Sequence, residues 1–149
     1  DWQKLFMPAR AMVAGSTDQE HWLSFGVNKT LPLLYLDQAV LVADNAETVV
    51  SVGVYETLIK PVEREDYVSW YALPADKALH VRMSGLLWPE AAQRIANSAF
   101  LTRERVGRGQ IIKFSGQPNF RGASWGTNRL LLNALVYGPG FGSRANISL

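Results

Sequence analysis

Cysteine is absent from this chain of 149 residues, and histidine occurs only at His21 and His80. Without cysteine the chain has no disulfide, no thiolate metal ligand and no thiol nucleophile. The redox compartment stays open, because a chain without cysteine suits oxidising and reducing environments alike. A catalytic zinc site usually draws three ligands from histidine and carboxylate, and neither histidine lies in an H-x-x-E or H-E-x-x-H spacing. We therefore expect both histidines to be structural or superficial, and we predict no catalytic residue and no metal ligand.

Long apolar runs and strong net charge are lacking as well. No apolar stretch approaches the roughly 20 residues that span a bilayer, so no membrane span is predicted. The net charge is only +2 and no basic run is present, which does not indicate a nucleic-acid partner. Residues 1–10, DWQKLFMPAR, lack both the pattern of a signal peptide and an initiator methionine. We expect the chain to be the C-terminal part of a longer precursor.

Hydrophobic residues make up 48% of the chain and charged residues 19%, which indicates one globular domain over residues 1–149. Apolar and β-branched segments predict strands at residues 11–15, 31–36, 39–44, 48–57, 67–73 and 79–85. DNAE, residues 44–47, is predicted to form a hairpin turn between two of them, and residues 99–116 a terminal β-hairpin. Strands outnumber helices, so the predicted class is α/β, a mixed sheet with much antiparallel pairing and a closing C-terminal helix.

Three helices are predicted. Thr17 and Glu20 have the spacing of a capping box, which predicts a helix over residues 18–25 that Gly26 ends. Residues 88–99 form a second helix with Pro89 at its first position, where the missing N–H costs nothing. The third covers residues 124–137.

The third helix is apolar on most sides, which predicts that it is buried. Gly126, Arg129 and Asn133 form its one polar stripe, and Gly138-Pro139-Gly140 is expected to end it.

The turn before this last helix contains glycine, asparagine and arginine, and helix N-termini attract anions. A phosphate or carboxylate could bind there. The other interpretation is that Arg121 pairs with an internal carboxylate or with carbonyl groups, while Asn119 and Ser124 cap the turn and the helix. The candidate binding residues are Gln117, Asn119, Arg121, Ser124, Thr127 and Arg129.

Two other clusters have simpler explanations than ligand binding. Acidic residues within 60–66 could hold a cation, but an arginine sits among them and no calcium-binding loop surrounds them, so a solvated loop is expected. Aromatic residues could form a sugar-binding platform, but packing in the core or at an interface is the simpler explanation for their presence. The acidic residues are Glu63, Glu65 and Asp66, and the aromatic residues are Trp22, Phe25, Trp70, Tyr71 and Trp88.

The segment GRGQIIKFSGQPNFRGASWGTNRLLLNALVYGPG, residues 107–140, resembles the C-terminal region of bacterial secreted zinc carboxypeptidase-like proteins of the carboxypeptidase A type. In that family a domain similar to class I glutamine amidotransferases follows the peptidase domain. The matching positions are 107–109, 111–114, 118–121, 126–127 and 131–134, and EHWLSFGV and MSGLLWPE are similar to upstream segments of the family. The resemblance covers roughly residues 12–140.

The resemblance implies a partial class I glutamine amidotransferase-like domain that is a non-catalytic accessory domain of a secreted zinc carboxypeptidase-like protein. It would serve packing, substrate binding or partner binding. No cofactor is expected on this chain, because zinc would belong to the parent peptidase domain. The implied partners are that domain or the missing N-terminal half of the same domain, with a homo-oligomer as a further alternative, and the implied location is the periplasm or the medium. A small-anion or carbohydrate binding module, and a hydrolase in its own right, remain as alternatives.

Overall fold

A computed structural model describes residues 8–61 and 73–142 of the chain. The strands are β1 Ala9–Thr17, β2 Thr30–Leu36, β3 Glu47–Val52, β4 Val54–Thr57, β5 Lys77–His80, β6 Arg82–Ser84, β7 Ala99–Val106 and β8 Gly109–Phe114. The helices are α1 Pro89–Ile95 and α2 Trp125–Gly142, with short 3-10 turns at Trp22–Ser24 and Phe120–Gly122. Several predictions fall on residues 62–72 and lie outside the described residues: the strand at 67–73 except for its last residue, the acidic cluster, Trp70 and Tyr71.

The main sheet has the strand order β2-β1-β3-β7-β8, and β6 also pairs with β1. All pairings between the described strands are antiparallel, which confirms a mixed α/β class with mainly antiparallel sheets and a C-terminal helix. The predicted terminal hairpin is present as β7 and β8. One edge of β1 is taken by β2, and the other edge is shared between β3 and β6.

Glycine divides the predicted strand 48–57 into two strands that belong to different sheets. Gly53 has a φ of 102°, which a residue with a side chain rarely adopts, and a Cβ there would lie 2.7 Å from a methyl carbon of Leu79. The chain therefore leaves the main sheet after β3 and pairs as β4 with β5. The predicted strand 79–85 is likewise split, with the buried Val81 between β5 and β6.

The predicted strand at residues 39–44 and its hairpin turn at 44–47 are wrong. Only Leu41 makes a bridge, and it pairs with Ala99 rather than with β3. The physical reason is that β7 pairs with one edge of β3 over residues 47–51 and β1 with the other over residues 50–52, so a hairpin strand beside β3 would have to displace one of them.

The predicted capping box and helix at residues 18–25 are also wrong. The Thr17 hydroxyl lies at the end of β1 and donates to the backbone carbonyls of Asn28 and Lys29, at 3.0 and 3.2 Å, so it does not cap a helix. Only a short 3-10 turn forms, and the Nδ1 atom of His21 caps it by accepting from the backbone N–H of Leu23 at 3.1 Å.

The last helix, α2, continues beyond its predicted end, through Pro139 to Gly142. A proline removes only one backbone donor, and contacts from outside the helix hold this last turn. The Gln110 Nε2 atom donates to the Gly138 carbonyl at 2.9 Å, and the ring of Phe141 stacks on Trp22 with centroids 5.5 Å apart. The prediction that residues 138–140 end the helix is therefore wrong.

Close approaches at two glycines place α2 across the two outer strands of the main sheet. A Cβ at Gly126 would lie 3.0 Å from the Leu31 side chain on β2, and one at Gly138 would lie 3.7 Å from Ile112 on β8. The core beneath the helix contains fully buried aliphatic and aromatic side chains such as Leu33, Tyr35 and Phe100. Among residues 8–61 and 73–142, none of the helices combines the length and apolar character that a membrane crossing would require.

Candidate functional site

The last helix packs with its polar stripe inward. Asn133 is 1% exposed, and its Nδ2 atom donates to the backbone carbonyls of Leu23 and Phe25, each at 2.8 Å. These carbonyls belong to the short 3-10 turn at residues 22–24 and its flank, where a longer helix would have satisfied them internally. The amide of Asn133 supplies the missing donors and joins α2 to the turn on the same side of the helix as the buried Leu130.

Arg129 extends this contact at the edge of the helix. Its Nε atom donates to the Phe25 carbonyl at 3.2 Å, and its guanidinium lies over Gly26, whose φ is 72°. The candidate residue Arg129 thus joins α2 to the 3-10 turn, although its side chain remains largely exposed.

Large apolar side chains on the opposite side of α2 face solvent, which makes the prediction of an all-round buried helix wrong. We call this surface the outer face of α2. Its members and their exposed fractions are Trp125 at 89%, Leu132 at 49%, Leu135 at 67% and Val136 at 59%. At 100° per residue they fall within about a third of the helix circumference. Leu132, Leu135 and Val136 are neighbours on this face, and exposed apolar side chains grouped in this way mark interaction sites in soluble proteins.

Of the six candidate binding residues, those of the turn before α2 face outward. Gln117, Asn119 and Arg121 are exposed, and within the described part of the chain none of their side chains makes a hydrogen bond. The guanidinium of Arg121 lies over the ring of its neighbour Phe120, 5.2 Å from the centroid, and its φ is 48°. Arg121 therefore forms no ion pair with a described carboxylate, contrary to the interpretation that it locks the turn internally.

The two hydroxyl candidates point into the structure instead. Ser124 and Thr127 are each 4% exposed. The Ser124 Oγ atom accepts from the Thr127 N–H at 3.4 Å, and the Thr127 hydroxyl donates to the Ser124 carbonyl at 3.1 Å. Ser124 caps α2, as predicted, and both groups are used within the helix start.

A chain of polar side chains links the 3-10 turn, β3, β7, β8 and the end of α2. The Nε2 atom of His21 lies 3.3 Å from the Glu47 carboxylate, and the Arg103 Nη1 atom donates to both oxygens of the same carboxylate at 2.9 and 3.2 Å. The Arg103 Nε atom donates to Gln110 Oε1 at 2.8 Å, and Gln110 donates onward to Gly138. Sequence reasoning missed this network because its members lie far apart along the chain and share no local motif.

Both titratable members of the network have shifted pKa values. Burial lowers the pKa of His21 below its ordinary value of 6.5, against the opposing effect of Glu47. The hydrogen bond from Arg103 lowers the pKa of Glu47 below its ordinary value of 4.5. His21 is therefore neutral near pH 7, and its Nδ1 lone pair is committed to the Leu23 N–H. An imidazole held in this way stabilises a turn and is poorly placed to act as a general base.

Among residues 8–61 and 73–142, neither histidine belongs to a cluster of metal-ligating groups. The Nε2 atom of His80 lies 2.7 Å from the Glu56 carboxylate on the small β4-β5 sheet, whereas His21 contacts Glu47 of the main sheet. In the described ranges, no three side chains of the His, Cys, Asp and Glu types come together as a possible metal site.

The three described aromatic candidates for a sugar platform, Trp22, Phe25 and Trp88, do not form one. Trp22 stacks on Phe141, and Phe25 meets Tyr137 and Phe141 edge to face, with centroids 6.1 and 6.4 Å apart. Trp88 lies just before α1 and is 47% exposed. Trp22 and Phe25 therefore join α2 to the 3-10 turn.

An open groove of about 250 Å³ lies between the loop at residues 41–46 and the hairpin of β7 and β8. Buried Thr102 and the Glu104–Lys113 ion pair, at 3.4 Å, line its other side. Its volume falls below the roughly 300–1,000 Å³ of typical small-molecule sites.

Comparisons with protein-family models, with curated proteins and with solved structures found no match to this chain. The outer face of α2 groups exposed apolar side chains along one helix, and it is the candidate functional site.

Proposed function

We propose that this chain is a non-catalytic accessory domain that mediates assembly of a secreted zinc carboxypeptidase-like protein, with the outer face of α2 as its contact surface. The observation that supports this proposal is the orientation of α2. The polar side chain of Asn133 is buried, whereas the apolar side chains of Trp125, Leu135 and Val136 are exposed. Such exposure lowers the solubility of a lone domain and is removed when a partner covers it. The glutamine amidotransferase-like ancestry is part of the proposal and rests on the sequence resemblance.

The test is the association state of this chain and of the carboxypeptidase-like protein proposed to contain it, measured by light scattering after size exclusion. Leu132→Glu places a charge on the outer face, where burial against a partner would leave it unpaired. Val42→Glu is the matched control, because Val42 is 63% exposed and lies on the 41–46 loop. We expect Leu132→Glu to weaken association and Val42→Glu to leave it unchanged. Equal behaviour of the two variants contradicts the proposal.

The proposal also states that the chain by itself does not hydrolyse peptides. The measurement is turnover of C-terminal peptide substrates by the purified chain, with and without added zinc. Zinc-dependent turnover contradicts a non-catalytic role.

A small-anion or carbohydrate binding module is the second proposal. Its support is that Gln117, Asn119 and Arg121 present amide and guanidinium groups outward from one short turn. It is the weaker of the two proposals, because the hydroxyl groups of Ser124 and Thr127 already make hydrogen bonds to each other's residues at the start of α2.

A further inference from the structure

The exposed residues of α2 recur at the spacing of a helix–helix seam. The exposed residues Trp125, Leu132 and Pro139 are seven residues apart, and the exposed Leu135 follows Leu132 at the three-residue offset, whereas the corresponding position after Trp125 holds the half-buried Asn128. Apolar side chains in this alternation of three and four residues pack one helix along another at a shallow angle. The ordered segment is 18 residues long, and such a helix measures roughly 27 Å. This is long enough for two complete heptads.

We propose that the occupant of the outer face is a second copy of this chain, whose α2 packs antiparallel to the first about a two-fold axis at Leu132. The inference rests on the proposed assembly function and specifies the partner. An axis at Leu132 is favoured because the two ends of the seam, the large side chain of Trp125 and the smaller one of Pro139, are equally far from it. Trp125 stands seven residues before it and Pro139 seven residues after it, about 10 Å along the helix in each direction.

The two ends of α2 have complementary shapes. Trp125 is 89% exposed and forms a large projection at the start of the helix. At the other end Gly140 has no side chain, and among the described residues no atom lies within 4 Å of the position that a Cβ would take. In the antiparallel arrangement the indole of each copy lies against the turn at Gly140 of the other copy, so a large side chain meets a residue without one twice. A two-fold contact requires this self-complementarity.

The charge on α2 is compatible with such a pair. Arg129 is the one charged residue in the sequence of this helix. With the axis at Leu132, Arg129 of one copy lies beside Leu135 of the second copy and does not face the other Arg129. Its aliphatic stem can cover apolar surface while the guanidinium keeps the Phe25 carbonyl and solvent.

The apolar area is that of a small dimer. The exposed fractions of the four outer-face side chains amount to roughly 500 Å² per copy, scaled from the 150–250 Å² that a buried aromatic covers. Two copies would then bury about 1,000 Å², the lower bound for a specific protein–protein interface. The dimer is therefore weak and its population depends on concentration.

Single cysteines test the geometry cleanly, because the chain has none of its own. Under mild oxidation Leu132→Cys lies at the axis and should cross-link to itself at least about tenfold faster than the exposed control Val42→Cys, because proximity acts as a local millimolar concentration. Trp125→Cys alone should not cross-link to itself, whereas mixing it with Gly140→Cys should produce a heterodimer. Self-linking of Trp125→Cys indicates parallel helices and overturns the proposal.

Sedimentation of the wild-type chain over a range of concentrations gives a readout that does not depend on cysteine. We expect a monomer–dimer equilibrium that Leu132→Glu abolishes, because the two introduced carboxylates would face each other at the axis. A wild-type chain that stays monomeric, or a Leu132→Cys rate equal to that of Val42→Cys, overturns the second-copy proposal. If Leu132→Glu still weakens association of the proposed carboxypeptidase-like protein in that case, the assembly function stands with a different partner; if it has no effect there either, both proposals fail.

Discussion

Replacing Asn133 with alanine tests the inverted orientation of α2. The Leu23 carbonyl would lose its one described partner, and a buried unpaired carbonyl costs about 1–3 kcal/mol. The Phe25 carbonyl keeps the Arg129 Nε atom and loses a second bond worth about 0.5–1.5 kcal/mol. The higher helix propensity of alanine raises the free energy of unfolding by roughly 0.5 kcal/mol and offsets part of this loss. The free energy of unfolding should therefore fall by about 2 kcal/mol.

Urea unfolding of the dilute chain measures this change through the midpoint at constant slope. In a thermal scan the same loss corresponds to roughly 4–8 °C for a protein of this size. The matched control is Leu135→Ala on the outer face, where the side chain is 67% exposed and both residues are good helix formers. It should change stability by no more than about 0.5 kcal/mol.

The apolar pattern of the sequence alone predicts the opposite ranking. If Asn133 faced solvent and Leu135 the core, Leu135→Ala would cost about 2–5 kcal/mol and Asn133→Ala almost nothing. Observing that order would refute the packing of α2 described above, and with it both the assembly function and the dimer.

The remaining predictions concern pH, backbone conformation and the turn before α2. Because the pKa of His21 is lowered on folding, the unfolded chain binds the extra proton first, so stability should be constant above about pH 6.5 and should fall as the pH drops below it. His21→Asn keeps a side-chain acceptor for the cap and should remove this fall in stability below pH 6.5. The further fall in stability below about pH 4.5, which Glu47 causes, should remain. If the variant shows the same dependence of stability on pH between 7 and 5 as the wild type, His21 does not cause the first fall. Gly53 and Gly107 both have a positive φ, but a Cβ at Gly53 would clash with Leu79, whereas no described atom lies within 4 Å of one at Gly107. Gly53→Ala should therefore cost at least about 2 kcal/mol and Gly107→Ala about 1 kcal/mol; equal losses would contradict the chain path at the end of β3. Arg121→Ala should change stability by less than about 0.5 kcal/mol, and calorimetric titration with phosphate and with simple sugars would show whether it removes binding; a wild-type chain that binds none of them contradicts the binding-module alternative.

Local patterns predicted the elements whose signals are complete within a few residues. The hairpin of β7 and β8 follows from glycines at its turn, and α1 begins at Pro89 because the missing N–H costs nothing there. The predicted strand at 39–44 failed because pairing depends on which strand edges are available, and no local pattern contains that information.

For the site, the sequence by itself determined that cysteine chemistry is impossible and that α2 is a long apolar helix with a polar stripe. Only the tertiary structure decided which side of the helix is buried. A short 3-10 turn leaves two backbone carbonyls inside the fold that Asn133 satisfies, and Leu130 is buried on the same side of the helix, while Leu135 and Val136 stay exposed. The hydrophobic effect is non-directional and can be satisfied later by a partner, whereas a buried carbonyl must find its donor within the folded chain.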